Sequence, residues 1–121
     1  MSSVLVVENE RGFREVLVEV LHEEGYSILE APSADAAVDL LETSSVRLIV
    51  TDVNLPGRLS GIDLAIKARD LCPGVPVIFI SGRLGTLADA CVAVHDPITF
   101  LLKPFRVAAL LEQVARLAGV E

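Results

Sequence analysis

Five short apolar runs, each closed by a polar residue, alternate with five helix-period stripes along this 121-residue chain, and few folds satisfy that alternation. Val4-Leu5-Val6-Val7, stopped by Glu8-Asn9-Glu10, reads as a central strand that is apolar on both faces. Ser27–Ala31 is a second, less hydrophobic strand, as suits a sheet edge. Arg47–Thr51 is the third, followed by the turn Asn54-Leu55-Pro56-Gly57. Val75–Ile80 is the fourth, with Pro76 tolerable near its start, and the run from Ile98 to Lys103 carries the fifth.

Between these runs Phe13, Val16, Leu17, Val20 and Leu21 form the stripe of a helix ending near Gly25, where a residue without Cβ suits a left-handed cap. Ser33 caps the next helix, with Ala34, Ala37, Val38 and Leu41 inward. Ser60 opens a capping box closed by Asp63; Ile62, Leu64, Ala65, Ala68 and Leu71 continue that helix to Cys72-Pro73-Gly74. Gly82–Gly85 reads as a loop, Leu87–Val94 as a short helix, and His95-Asp96-Pro97 as a break. The last helix, about Val107 to Leu117, buries Leu110, Leu111, Val114 and Leu117.

Strand then helix, repeated with short connections, predicts an α/β fold: a doubly wound five-stranded parallel sheet of order 2-1-3-4-5 with five helices, layered αβα. The length suits one domain spanning 1–121, with no output domain expected. A net charge of −7 leaves no basic surplus to replace counterions on a polyphosphate backbone, so direct nucleic-acid binding is not expected. The chain shows neither a basic, apolar leader nor a bilayer-length apolar stretch, so membrane insertion is not expected and a cytoplasmic location is. Cys72 and Cys91 lack metal or redox spacing and are assigned to core or helix-packing positions.

Doubly wound sheets bind ligands beyond the carboxyl ends of their strands, and the reactive residue types of this chain gather there. Asp52 ends the third run, and Lys103 ends the fifth, fifty-one residues later. Taken alone, Asp52 is as readily a turn cap as a nucleophile. An ammonium from Lys103 favours the nucleophile, since it neutralises the carboxylate at rest and then incoming phosphoryl oxygens. Pro104 holds the lysine backbone extended, with cis and trans bonds both open to it. Glu8 and Asn9 offer oxygen ligands to a hard divalent cation such as Mg²⁺, while Glu10 points to the first helix; an ordinary acidic turn is the competing reading. Asn9 supplies a neutral carbonyl where a second carboxylate would bind the ion better. Ser81 ends the fourth strand and can donate to a phosphoryl oxygen. Phe100 is a core aromatic or a gauge of the site, and Arg83 a guard of its mouth or a solvated cation. A nucleotide-binding α/β protein would need a glycine-rich turn that Glu8-Asn9-Glu10-Arg11-Gly12 lacks. A hydrolase would need a base for Ser81, which neither His22 nor His95 is placed to be.

Asp52-Val53-Asn54-Leu55-Pro56 and Lys103-Pro104-Phe105, with Val4-Leu5-Val6-Val7-Glu8 and Ile80-Ser81-Gly82, resemble the receiver domain of bacterial two-component response regulators over nearly the whole chain. The resemblance implies that Asp52 is the phosphorylation site, fed by a histidine kinase or histidine phosphotransfer protein, with Lys103 and Ser81 assisting. It implies Ser81 and Phe100 as switch residues, Arg83 and Pro104 as modulators, and Mg²⁺ bound through Glu8, Asn9, Asp52 and the Asn54 carbonyl. A downstream protein, or a second copy of the chain, would meet the last helix-strand-helix face. Self-phosphorylation from small donors and autodephosphorylation are compatible with it; metabolic catalysis is not implied. Three departures stand out: Asn9 in the acidic pair, predicted to weaken Mg²⁺ binding; a loop from Asp52 to Gly61 one residue longer than the common pattern; and His95-Asp96-Pro97 in place of a glycine-alanine turn. A receiver-shaped interaction module that signals without phosphate is the alternative function.

Overall fold

The computed structural model describes residues 2–119. Five parallel strands lie in the order β2-β1-β3-β4-β5, where β1 is Ser3–Val7, β2 Ile28–Ala31, β3 Val46–Asp52, β4 Val77–Ser81 and β5 Ile98–Leu102. Helices α1 (Arg11–Glu23), α2 (Ala34–Thr43), α3 (Gly61–Leu71), α4 (Leu84–Ala93) and α5 (Val107–Ala118) connect or follow them. The expected order and layering are therefore observed. Alternation along each strand divides the apolar residues between two cores. Leu5, Val7, Ile49, Val77 and Phe79 face α2, α3 and α4, whereas Val4, Val6, Leu48, Val50, Ile78 and Ile80 face α1 and α5. Both faces being covered explains why β1, β3 and β4 read as nearly unbroken apolar runs.

The local signals read from sequence hold in several places. Ser33 Oγ accepts from the Ala36 amide, and Ser60 with Asp63 forms the reciprocal capping box. Gly25 adopts φ 92° behind α1. The Lys103-Pro104 and Asp96-Pro97 bonds are both cis.

Four expectations need correction. Helix α4 starts at Leu84, so Leu84 and Gly85 belong to its first turn and not to a loop. Strand β4 starts at Val77, leaving Val75 and Pro76 in the approach to it. Val16 and Leu71 are about half exposed, since each lies at the margin of its helical stripe. Cys91 is exposed on the outer face of α4, while Cys72 is half-buried at the end of α3 with its Sγ 3.6 Å from the Val46 carbonyl.

Two arginines tie the amino-terminal side of the sheet. Arg69 of α3 donates to the carbonyls of Val75, His95 and Pro97 at 2.8, 2.9 and 3.0 Å. Arg47 donates to Ala118 and Gly119 carbonyls at the end of α5 and lies over the Tyr26 ring.

Candidate functional site

At the opposite, carboxyl-terminal edge, β1, β3 and β5 deliver Glu8, Asp52 and Lys103 to one place. Asp52 is the last residue of β3, paired with Ile80 of β4, so its position is fixed by the ladder that buries Ile49 and Val50. Lys103 follows β5, and its amide still donates to the Ser81 carbonyl at 2.8 Å. Its Nζ stands 2.9 Å from Asp52 Oδ2 and 3.6 Å from Glu8 Oε1. The ammonium also lies 4.7 Å from the centre of the Phe13 ring, which meets Phe105 edge-on.

The charge balance of this cluster is unequal. Two carboxylates, Glu8 and Asp52, are buried, and one partly exposed ammonium faces both. Burial raises the Glu8 carboxyl above the ordinary carboxylate range. The Glu10 amide, donating to Glu8 Oε2 at 2.9 Å, and the charge of Lys103 oppose that rise, while adjacent Asp52 adds to it. For Lys103, burial pulls downward, but the hydrogen bond and charge of Asp52, then those of Glu8, outweigh it and hold the ammonium above its usual value.

The remaining expected residues fall into two groups. Asn9, Asn54, Arg83 and Pro104 are exposed along the same edge. Glu10 caps α1: its carboxylate accepts from the Gly12 and Phe13 amides at 3.0 and 2.6 Å. Ser81 is fully buried, and the side chain of Thr86 and the backbone of Arg83 take up its hydroxyl. Phe100 is half-buried and stacks on Phe79, with ring centres 6.2 Å apart.

Every donor available to a metal here is oxygen. Two of those donors are buried carboxylates sharing one ammonium, a net negative pocket of the kind a hard divalent cation neutralises. Among the described residues no three His, Cys, Asp or Glu side chains gather to hold an ion, so a cation would rely on carbonyl oxygens for its further ligands. That donor set fits Mg²⁺.

Three participants escaped the reading of the sequence. Phe13, taken only as a core-facing residue, also forms the floor beneath Lys103. Thr86 was hidden inside a stretch read as a loop running into a helix. Gly61 packs directly on the Asp52 backbone: a Cβ there would collide with the Asp52 carbonyl oxygen and stand 3.0 Å from Val53 Cα. Only the path of the preceding loop brings those atoms together, so no local motif announces it. Beside Lys103 a groove of about 550 Å³ opens between α1 and α5, lined by Phe13, Val16, Val20, Phe105 and Val107.

A parallel doubly wound sheet with Glu8, Asp52 and Lys103 together at its carboxyl edge has the architecture of a flavodoxin-like α/β domain with a charged site beyond its strand ends. The chain belongs to the response regulator receiver domain family, whose model matches residues 4–115. Receivers are in general the phosphoacceptors of two-component signalling. Among curated relatives, the response regulator FleR of Pseudomonas aeruginosa is 35% identical over 95% of this chain and 24% of its own length. The receiver protein CpdR of Brucella abortus is 25% identical, over 97% of both chains. The chain thus spans about a quarter of FleR but nearly all of CpdR. The receiver domain of NtrX from Brucella abortus superposes with a TM-score of 0.88 at 29% identity, covering 98% of this chain and 100% of that one. The receiver of the hybrid histidine kinase CckA gives 0.81 at 32% identity, with the same coverage. TrrA of Thermotoga maritima, solved in complex with Mg²⁺ and BeF, gives 0.84 at 29% identity, covering 97% and 99%. Among the described residues no helix is long and apolar enough to cross a membrane.

Proposed function

We propose that Asp52 takes a phosphoryl group from the phosphohistidine of a histidine kinase or histidine phosphotransfer protein, and that the acyl phosphate switches a protein-binding surface. The observation that best supports this reading is the 2.9 Å contact between Lys103 Nζ and Asp52 Oδ2 at the open edge of the sheet. An Asp52 oxygen attacks phosphorus as the phosphorus–nitrogen bond breaks. The bonding pair returns to the ring, which, already protonated on its other nitrogen in the phosphohistidine, leaves as neutral imidazole. Lys103, at rest the counter-charge of Asp52, holds a transferred oxygen in the product. Mg²⁺ held by Glu8, Asp52, the Asn54 carbonyl and Asn9 would offset repulsion between the phosphoryl group and the carboxylates. Its affinity is lowered by the neutral Asn9. Arg83 and Pro104 border the site and modulate access to it.

Ser81 then donates its hydroxyl to the phosphoryl group and Phe100 repacks. The face made by α4, β5 and α5 consequently changes its affinity for a downstream protein or a second copy of the chain, a shift in population between two arrangements. The test is intact-mass measurement after incubation with acetyl phosphate and Mg²⁺. Wild type gains one phosphoryl mass, Asp52→Ala gains none, and Asn9→Asp gains it faster. Undiminished labelling of Asp52→Ala refutes the assignment. Transfer from a phosphorylated histidine phosphotransfer protein to wild type then tests the donor class.

A further inference from the structure

Helix α4 starts in an unusual way. Its N-cap is Arg83, whose side chain makes no capping hydrogen bond. The backbone there is tied by two hydroxyls. The Arg83 amide donates to Ser81 Oγ at 3.0 Å, and Thr86 Oγ1 donates to the Arg83 carbonyl at 2.7 Å. Thr86 Oγ1 and Ser81 Oγ are themselves hydrogen-bonded. Each hydroxyl has one proton, and Thr86 spends its own on the carbonyl. The Ser81 proton therefore goes to Thr86, with a weaker reach of 3.3 Å to the same carbonyl. The chain of donors closes into a ring: Arg83 amide, Ser81 hydroxyl, Thr86 hydroxyl, Arg83 carbonyl.

From this ring we infer that Thr86 is a positioning residue that restrains the Ser81 hydroxyl away from Asp52, so that phosphoryl binding has to break a hydrogen bond at the first turn of α4. The inference rests on the proposed role of Ser81 and adds the group that opposes it. Ser81 has no accessible surface, so its proton cannot fall back on water when Thr86 lets go. Once free of Thr86, the hydroxyl has only the Arg83 carbonyl, at a long 3.3 Å, and the phosphoryl oxygen as acceptors. A Ser81 oxygen that swings toward the phosphoryl group also leaves the Arg83 amide, which now donates to it at 3.0 Å. Release of Ser81 therefore loosens the start of α4 in the same step, linking the site to that helix through named atoms and not through distance alone.

Thr86→Val keeps the shape of the side chain and removes both its donor and its acceptor; Thr86→Ser keeps both. Beryllofluoride with MgCl₂, titrated by calorimetry, is the phosphoryl probe. One neutral hydrogen bond corresponds to a factor of about five in an equilibrium, so Thr86→Val should bind the probe about five times more tightly than wild type. Thr86→Ser should restore the wild-type value. In a Ser81→Ala background, Thr86→Val should have no effect, because the group it releases is gone. Equal affinities of wild type and Thr86→Val, or the same gain in the Ser81→Ala background, overturn the inference. Amide hydrogen exchange without any probe gives a second measurement. The Arg83 amide should exchange faster in Thr86→Val than in wild type or Thr86→Ser, and equal exchange in all three likewise overturns it. Wild type that binds no beryllofluoride and takes no phosphoryl group would instead defeat the proposed function, while the exchange measurement still decides the fate of the ring.

Discussion

Replacing Gly61 with alanine sets two physical effects against each other with opposite signs. Gly61 is the first residue of α3, and alanine in place of glycine within a helix is worth up to about 1 kcal/mol. Its φ is not positive, so the backbone itself does not demand glycine. Propensity alone therefore predicts a more stable domain. The methyl group would, however, run into the Asp52 carbonyl oxygen, with Asp52 C and Val53 Cα both at 3.0 Å. All three are backbone atoms, and the Gly61 amide is fastened to the Val53 carbonyl at 2.8 Å, so no flexible side chain can swing aside. Overpacking of this kind costs about 3 kcal/mol, at the upper end of its usual range, because main chain has to move. The net expectation is a loss of about 2 kcal/mol. With a urea m-value of about 1.5 kcal/mol per molar, the midpoint falls by roughly 1.3 M. Urea titration followed by far-ultraviolet circular dichroism reads this directly. Labelling by acetyl phosphate should also slow at urea-free concentrations where the variant is fully folded, since the displaced peptide is that of Asp52. A midpoint equal to or above wild type would show that the close approach of α3 to β3 is not a constraint, and the argument would fail.

Three further outcomes follow from the charge cluster. Glu8 has its carboxyl raised in the folded state, so the folded protein binds more protons than the unfolded one as pH climbs past the ordinary glutamate range, and stability declines through that window. Glu8→Gln should flatten this decline in metal-free buffer and raise the urea midpoint at neutral pH; a variant with an unaltered pH profile would contradict the charge balance described. Lys103→Met leaves both buried carboxylates without their cation, and after allowance for the partial exposure of the ammonium a loss of about 1–2 kcal/mol is expected, with phosphoryl labelling abolished or severely slowed. Wild-type stability in that variant would be the contrary result. Asn9→Asp should tighten Mg²⁺ binding in a calorimetric titration, and unchanged affinity would remove Asn9 from the ligand set.

Much of the architecture was legible because burial on both faces writes itself as uninterrupted Val, Leu and Ile, and because Ser33, Ser60 with Asp63, and Gly25 mark helix ends by chemistry that acts within a few residues. The pairing of Asp52 with Lys103 was legible for a different reason. Parallel strands all point the same way, so residues ending two such strands must share an edge of the sheet. What escaped was set by contacts that no local rule encodes. Arg83 and Gly85 are poor signals for a helix start, and the true anchor of α4 is a hydroxyl on the preceding strand. Periodicity identified the inward faces of α1 and α3 but not where each face stops, so Val16 and Leu71 were counted with residues more buried than themselves. Free cysteine is usually buried, but nothing in the local pattern shows that Cys91 sits on the outer side of α4, where it is exposed.

The guanidinium of Arg69 has a mechanical consequence. By gripping the carbonyls before β4 and on both sides of the Asp96-Pro97 bond, it rivets the starts of two neighbouring strands to the end of α3. Loss of that one side chain would remove three hydrogen bonds at once, so the seating of β4 and β5 depends on a residue at the far end of the sheet from Asp52.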